Sequence, residues 1–143
     1  MKKQNNNLPF VTVMIASLNE EKNIKKEVDE CFKLKSIKKE VLVILDSKTV
    51  DKTKEVAEKA GARVIHTGKW KGKGAALKIA QKHIKGDYVV QLDADYQFMP
   101  SDIPNLIKPL MQGYDVALGS RYEKGARIEK GAVTNFRRFG IHF

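Results

Sequence analysis

The strongest constraint on the fold of this chain is the regular alternation of short apolar runs with amphipathic segments. FVTVMIA (residues 10–16) and EVLVILD (residues 40–46) are almost wholly apolar and rich in β-branched residues, as are strands buried on both faces of a parallel sheet. Between such runs, apolar residues recur every three or four positions, which predicts helices with one buried face. The pattern predicts an α/β fold, a three-layer sandwich around a mostly parallel sheet.

Turn signals set the bounds of the predicted elements. Asn19 is expected to cap the first helix, and Gly61 to end the second helix in the left-handed conformation. No linker or internal repeat divides the chain, so we predict one domain over residues 1–143. The predicted strands are residues 10–16, 40–46, 62–66, 88–92 and 115–119; the predicted helices lie between Asn19 and Ser36 and over residues 51–60, 74–84 and 102–112.

Composition excludes several classes of protein. Among the 143 residues, 27 Lys and Arg against 17 Asp and Glu give a net charge of +10. Most lysines fall on predicted solvent faces of helices near glutamates, so we expect no nucleic-acid binding. No run approaches the roughly 18 to 20 apolar residues that cross a bilayer, and no signal-peptide cleavage pattern is present, so a cytoplasmic location is expected. The single cysteine, Cys31, is assigned to the core.

One acidic window interrupts this basic chain at residues 86–122, which carry five acidic and two basic side chains. Within it, Asp93 and Asp95 follow the apolar strand YVVQL in the motif QLDADYQ. Two carboxylates this close repel each other unless a cation lies between them, and Mg²⁺ or Mn²⁺ is held by carboxylates, water and phosphate oxygens. A solvated acidic turn is the simpler alternative, but the position at the end of a buried strand favours a metal site.

Three further motifs lie near the carboxyl edge of the predicted sheet, where parallel sheets bind ligands. In ASLNEEKNI, Glu20 lies at the predicted start of a helix, and the favourable interaction of an acidic side chain with that helix end is enough to explain its presence. In VILDSKTVDKT, Asp51 is explained as a helix cap, whereas Asp46 is better explained as a hydrogen-bond acceptor for a base or ribose. In GKWKGKGAAL, Lys73 lies either in a flexible basic loop or at a helix start that meets phosphate.

Taken in order, ASLNEEKNI, VILDSKTVDKT, GKGAAL, LDADYQFMPSDI and DVALGSRY resemble the successive motifs of glycosyltransferase family 2. The similarity runs from about Phe10 to Arg138 and is greatest to the branch that transfers sugars to polyprenyl (dolichol) phosphate. It implies a Rossmann-like GT-A nucleotide-binding fold, a UDP- or GDP-activated sugar as donor, and Mg²⁺ or Mn²⁺ as cofactor. Because catalytic domains of this family extend well beyond 143 residues, we expect the chain to be C-terminally incomplete.

The resemblance also implies roles for individual residues. It marks Asp95 and Arg121 as catalytic, with Arg121 facing the acceptor phosphate. The implied metal-binding residues are Asp93, Asp95 and Gln97, and the implied nucleotide-binding residues are Ala16, Leu18, Glu20, Asp46, Lys73, Asp93 and Ala94.

The expected activity is metal-dependent, inverting transfer of a hexose from a nucleotide-diphosphate sugar to a polyprenyl phosphate at the membrane surface. A phosphate acceptor is already an anion, so no general base is required. Basic and apolar residues mix in residues 123–143, which suits either a peripheral location at the cytoplasmic membrane face or packing against further structure. Two alternatives stay open: a nucleotide-sugar-binding fragment without turnover, and a nucleotidyltransferase.

Overall fold

Strands and helices alternate along the part of the chain that the computed structural model describes, residues 8–69 and 72–120. Four of the five predicted strands and all four predicted helices are present there. The strands are β1 (Phe10–Ser17), β2 (Lys38–Leu45), β3 (Arg63–His66) and β4 (Tyr88–Asp93). The helices are α1 (Ile24–Lys33), α2 (Thr53–Lys59), α3 (Lys73–Ala80) and α4 (Ile103–Met111), with 3₁₀ turns at Gln81–His83 and Pro100–Asp102.

The four strands form one parallel sheet in the order β3-β2-β1-β4. β1 lies inside the sheet, where its Val13 is opposite Val41 of β2 and Val90 of β4. After β3 the chain crosses back through α3 and adds β4 on the far side of β1. The strand order therefore reverses between β1 and β4, and open parallel sheets bind ligands beyond the carboxyl ends at such a reversal.

Helices cover both faces of the sheet, which confirms the three-layer sandwich. On one face, α3 packs its small residues Ala76 and Ala80 against Met14, Leu42 and Ile44. On the other face, α1, α2 and α4 pack over alternate residues of the strands, as the two-residue period of a strand requires. The main residues of that larger core are Val11, Val13, Ile15, Ile24, Val28, Cys31, Val41, Val43, Ala57, Val90, Leu92, Ile103 and Ile107.

The start of β4 depends on a glycine. A β-carbon added to Gly86 would lie 2.4 Å from the backbone nitrogen of Thr12, so the chain can turn into β4 against β1 only without a side chain at this position. The amide of Gly86 donates to Oγ1 of Thr12 at 2.9 Å, and the amide of Asp87 donates to the carbonyl of Phe10 at 2.8 Å. These contacts set the register of β4 and therefore the point at which its last residue leaves the sheet.

Two of the local predictions are wrong. Residues 115–119 form no strand, and Val116 and Leu118 are 68% and 86% exposed, because a strand needs a partner for its backbone hydrogen bonds and no described segment pairs with this one. Asn19 does not cap α1, which begins after Asn23. The backbone of Asn19 is left-handed, with φ +55, and its side chain bonds to another loop. Gly61 ends α2 with φ +96, as predicted.

Some predictions fall outside the described residues. Arg121 and the basic and apolar segment 123–143 lie beyond residue 120, the last one described. Within residues 8–69 and 72–120, none of the helices combines the length and apolar character needed to span a bilayer.

Cys31 is fully buried, and burial raises the pKa of its thiol to about 12. The predicted core position of Cys31 is therefore confirmed, and a thiol with such a pKa is a poor nucleophile.

Candidate functional site

Two loops at the carboxyl edge of the sheet, β1–α1 and β2–α2, are joined by hydrogen bonds from side chains to backbone. Asn19 Oδ1 accepts from the amide of Val50 at 2.9 Å. Glu21 Oε2 accepts from the amide of Lys52 at 3.0 Å, and Asp51 Oδ2 accepts from the amide of Glu21 at 3.1 Å. Each loop therefore holds the other in place, which explains why the Asn19 side chain is not used as a helix cap.

Glu20 is positioned by both of these loops. Its amide donates to Oγ1 of Thr53 at 2.8 Å, and its carboxylate accepts from Nδ2 of Asn23 at 2.9 Å. Thr53 is fully buried at the start of α2, where its hydroxyl donates to Oδ1 of Asp51 at 2.5 Å. The backbone of Glu20 is thus attached to a buried helix start, and its half-buried carboxylate lies at the edge of the sheet.

Asp46 connects the end of β2 with the loop before α3. Its Oδ1 accepts from the amide of Lys48 at 2.9 Å, and its Oδ2 accepts from the amide of Gly72 at 2.6 Å. The side chain is only 8% exposed. A contact between Asp46 and a nucleoside stays a prediction. Buried Thr67, which sequence reasoning missed, supports the same corner by accepting from the amide of Ser47 at 3.0 Å.

β4 ends in an acidic turn, residues 93–97, that faces the start of α3. Nζ of Lys73 lies 2.6 Å from Oδ1 of Asp93 and 2.8 Å from its Oδ2. Asp95 is exposed, and its Oδ1 accepts from the amide of Gln97 at 3.1 Å. The structure therefore brings together a lysine and a carboxylate that come from separate sequence motifs.

The acidic turn is supported from β1 and from α1. The amide of Ala94 donates to the carbonyl of Ala16 at 3.3 Å, which continues the β1–β4 pairing beyond Asp93. Tyr96 has φ +59, a left-handed conformation that reverses the chain. Nζ of Lys26 lies 3.8 Å from the centroid of the Tyr96 ring, a cation–π contact. The turn is thus attached to two elements of the larger core.

Glu27 of α1 is a site residue that sequence reasoning missed. It is fully buried, and neither carboxylate oxygen has a hydrogen-bond partner among the described residues. Burial raises the pKa of Glu27 to about 7, and the negative charges of Asp95, Asp93 and Glu20 add to the shift. A signal was present in the sequence, because Glu27 follows Ile24 by three positions and therefore falls on the apolar face of the helix.

The donor set at this edge suits a hard divalent cation. Asp93, Asp95 and Gln97 offer oxygen ligands, the kind that Mg²⁺ and Mn²⁺ prefer. The ion pair with Lys73 shows that Asp93 attracts a positive charge. Within residues 8–69 and 72–120, no group of three or more His, Cys, Asp or Glu residues could hold a metal. An ion bound here would therefore take further ligands from water or from phosphate oxygens, as Mg²⁺ commonly does.

The other predicted site residues lie at the end of β1 or outside the described part of the chain. Ala16 is half-buried near the end of β1, and Leu18, just after β1, is 44% exposed. Arg121 falls outside the described residues. Residues from the first, second, third and fourth of the five motifs thus meet at one edge of the sheet.

Known proteins are similar to this chain over most of its length. A family model, glycosyl transferase family 2, matches residues 12–139. Dolichol-phosphate mannosyltransferase of Pyrococcus furiosus is 35% identical over 125 residues, which cover 83% of this chain and 35% of that protein. Undecaprenyl-phosphate 4-deoxy-4-formamido-L-arabinose transferase of Edwardsiella ictaluri is 33% identical over 119 residues, which cover 76% of this chain and 36% of that protein. The chain spans about a third of the length of these two relatives.

A solved structure gives the same picture of the fold. Glucosyl-3-phosphoglycerate synthase from Mycobacterium tuberculosis, in complex with Mn²⁺, UDP-glucose and phosphoglyceric acid, matches with a TM-score of 0.64 and 29% identity. The match covers 73% of this chain and 40% of that chain. The α/β, GT-A fold predicted for this sequence is thereby confirmed. Since the family model covers nearly the whole sequence and the fold agrees with it, the chain belongs to glycosyl transferase family 2.

Proposed function

We propose that this chain is the nucleotide-sugar-binding part of a metal-dependent enzyme that transfers a hexose, with inversion, from a UDP- or GDP-sugar to a polyprenyl phosphate. The observation that carries the proposal is the meeting of Lys73 with the acidic turn, residues 93–97, beside the reversal of strand order. The acceptor is supported by relatives named as dolichol-phosphate and undecaprenyl-phosphate transferases. The donor is supported by a structural neighbour solved with UDP-glucose.

The nucleoside would be bound by the two joined loops. Glu20 and Asp46 supply acceptors for base or ribose groups, and both are held by bonds to backbone amides or side chains before any ligand arrives. Such preorganisation lowers the entropic cost of binding. Ala16, Leu18 and Ala94 would line the same region, because they lie at the ends of the two strands that flank the reversal.

The diphosphate would be bound by Lys73. In the ligand-free protein this ammonium neutralises Asp93, and an arriving diphosphate offers it a more highly charged partner. Movement of Lys73 to the diphosphate frees the oxygens of Asp93. Asp93, Asp95 and Gln97 would then hold Mg²⁺ or Mn²⁺, which supplies charge stabilisation for the leaving diphosphate.

In the transfer step, an acceptor phosphate oxygen forms a bond to the anomeric carbon while the bond from that carbon to the diphosphate oxygen breaks. The nucleoside diphosphate leaves with the electron pair, and the configuration at the anomeric carbon inverts. The attacking oxygen is already an anion, so no proton has to be removed and the protein mainly positions the two reactants. Arg121 is proposed as the partner of the acceptor phosphate because its guanidinium can bind phosphate through two hydrogen bonds.

Isothermal titration calorimetry with UDP and GDP, each with and without Mn²⁺, tests the binding part of the proposal. We expect binding of one of the two nucleotides that strengthens when Mn²⁺ is present. Transfer of labelled sugar to a short polyprenyl phosphate then tests the reaction. Absence of nucleotide binding in all four titrations would contradict the proposal.

A second candidate is nucleotide-sugar binding without turnover by these 143 residues, and it is favoured by their coverage of only about a third of two transferase relatives. The calorimetry and the sugar-transfer assay separate the two candidates, because nucleotide binding without sugar transfer supports the second one. Family membership favours both over a nucleotidyltransferase.

A lipid-linked acceptor also requires contact with the membrane surface, so we propose a cytoplasmic protein that associates peripherally with the bilayer. Residues 123–143 carry five basic and two acidic side chains among apolar ones, a composition suited to anionic lipid. Co-sedimentation with anionic vesicles, with neutral vesicles as the control, tests this proposal. Binding that is limited to anionic vesicles and lost at high salt is expected; equal recovery with both vesicle types would contradict it.

A further inference from the structure

Glu27 is a buried acid for which the fold itself provides no reason. Its neighbours on the inner face of α1 are the apolar residues Ile24, Val28 and Cys31, all fully buried. An apolar side chain at position 27 would complete that face, whereas a carboxylate there loses its hydration without gaining a hydrogen bond from any described residue. A buried polar group without a partner is rare in native proteins and points to a functional cause.

The elements around Glu27 belong to the candidate cation site. The preceding residue, Lys26, contacts the ring of Tyr96 in the acidic turn, and α1 packs against the 3₁₀ turn Pro100–Asp102 that follows it. The charges of Asp95, Asp93 and Glu20 are near enough to act on the Glu27 carboxyl group. Lys73 reaches Asp93 from α3, on the opposite face of the sheet from α1. Glu27 therefore lies behind the acidic turn, on the side of the larger core.

We propose that Glu27 is a positioning residue of the divalent-cation site, whose buried carboxylate adds a third negative charge behind Asp93 and Asp95 and so strengthens cation binding. The inference rests on the proposed function. Glu27 is not itself a ligand, because it is fully buried and the described residues contain no group of three acids that could hold a metal. It acts through the electric field at the turn, which is only weakly screened by solvent on the buried side.

This role predicts opposite effects on stability and on binding. Replacing Glu27 with Gln removes a buried charge, which favours folding, and at the same time weakens the attraction for a divalent cation. A residue with a merely structural role would instead lower stability and leave the cation affinity of the folded protein unchanged. The two measurements together therefore distinguish a positioning residue from a structural one.

The experiment measures free Mn²⁺ by electron paramagnetic resonance while the ion is titrated into the full chain in the presence of UDP or GDP, whichever binds. The matched control is Glu30→Gln, which removes the same charge from the same helix at a position partly exposed to solvent. We expect Glu27→Gln to raise the Mn²⁺ dissociation constant about tenfold, the scale seen when groups behind metal ligands are removed. Glu30→Gln should match the wild type, and metal-free nucleotide affinity should be the same in all three proteins.

Asp95→Asn distinguishes failure of this inference from failure of the proposed function. If Asp95→Asn loses Mn²⁺ and Glu27→Gln retains wild-type affinity, the role of Glu27 is overturned while the proposed function stands. If the wild type binds no Mn²⁺ with nucleotide, both are overturned. Glu27→Met serves as a second variant in case Gln is poorly accommodated, and the same loss of Mn²⁺ affinity is expected from it.

Discussion

Lys73 donates to both carboxylate oxygens of Asp93, at 2.6 Å and 2.8 Å, across 20 positions of sequence. The two side chains are 51% and 36% exposed, so the pair contributes less than about 1 kcal/mol to folding. A weak, accessible ion pair can be exchanged for a more highly charged partner at little cost. This property suits a lysine that binds a diphosphate and an aspartate that binds a divalent cation.

Replacing Lys73 with Met is expected to weaken UDP or GDP binding by at least about tenfold, because a charge-assisted bond to the diphosphate is lost. The bare nucleoside should bind as it does to the wild type. Calorimetry with nucleoside and nucleoside diphosphate measures both, and Lys78→Met, at an exposed position of the same helix, is the control. An equal loss for nucleoside and nucleoside diphosphate would contradict the assignment of Lys73 to the diphosphate.

Replacing Asp95 with Asn is expected to abolish the Mn²⁺ dependence of nucleotide binding with little effect on folding. The side chain is exposed, and Asn retains the Oδ1 acceptor for the amide of Gln97, so thermal denaturation should occur within a few degrees of the wild type. Asp87→Asn is a matched control, since Asp87 is an exposed residue just before the opposite end of β4. Unchanged Mn²⁺ dependence in Asp95→Asn would rule out Asp95 as a ligand.

Replacing Asp46 with Ala is expected to lower both stability and nucleoside affinity. The amides of Lys48 and Gly72 lose a charged acceptor, which costs about 2 kcal/mol in the free energy of unfolding. Urea denaturation measures that loss, and calorimetry on the folded variant measures nucleoside binding without metal. A stability loss with unchanged nucleoside affinity would show that Asp46 serves only to join β2 to the loop before α3.

Replacing Glu27 with Leu is expected to stabilise the protein in a pH-dependent way. The pKa of Glu27 is raised from 4.5 to about 7 in the folded state, so the folded protein binds more protons than the unfolded chain between these values, and stability falls as pH rises through that window. Ionisation of Glu27 therefore costs about 3 kcal/mol at pH 8 and almost nothing at pH 4. Urea unfolding at both pH values should show a larger gain for Glu27→Leu at pH 8; an equal gain at both would contradict the shifted pKa.

The strands and the acidic turn could be predicted because their signals are local. The run FVTVMIA favours a buried strand whatever surrounds it, and Asp93 and Asp95 directly follow another such run. Residues 115–119 show the limit of this reasoning. Their apolar pattern is typical of a strand, but a strand forms only where another strand accepts its hydrogen bonds, and none of the described segments does so.

Residues with long-range partners could not be predicted in the same way. Asn19 is of a residue type that commonly caps helices, yet its side chain accepts a hydrogen bond from the amide of Val50, 31 positions away. Asp46 accepts from Gly72 across 26 positions. Local spacing contains no information on such partners, because they meet only after β1 and β2 pair and α3 packs on the sheet.

The sequence by itself determined the type and approximate bounds of four strands and four helices, because periodicity and turn residues act over a few neighbouring positions. It also determined that the acids at positions 93 and 95 lie at the end of a strand. Only the tertiary structure decided that Lys73 meets Asp93 and that Glu27 is buried behind the acidic turn. The physical reason is that both relationships depend on the crossover that places α3 and α1 on opposite faces of the sheet, and this arrangement is selected by packing of the whole core.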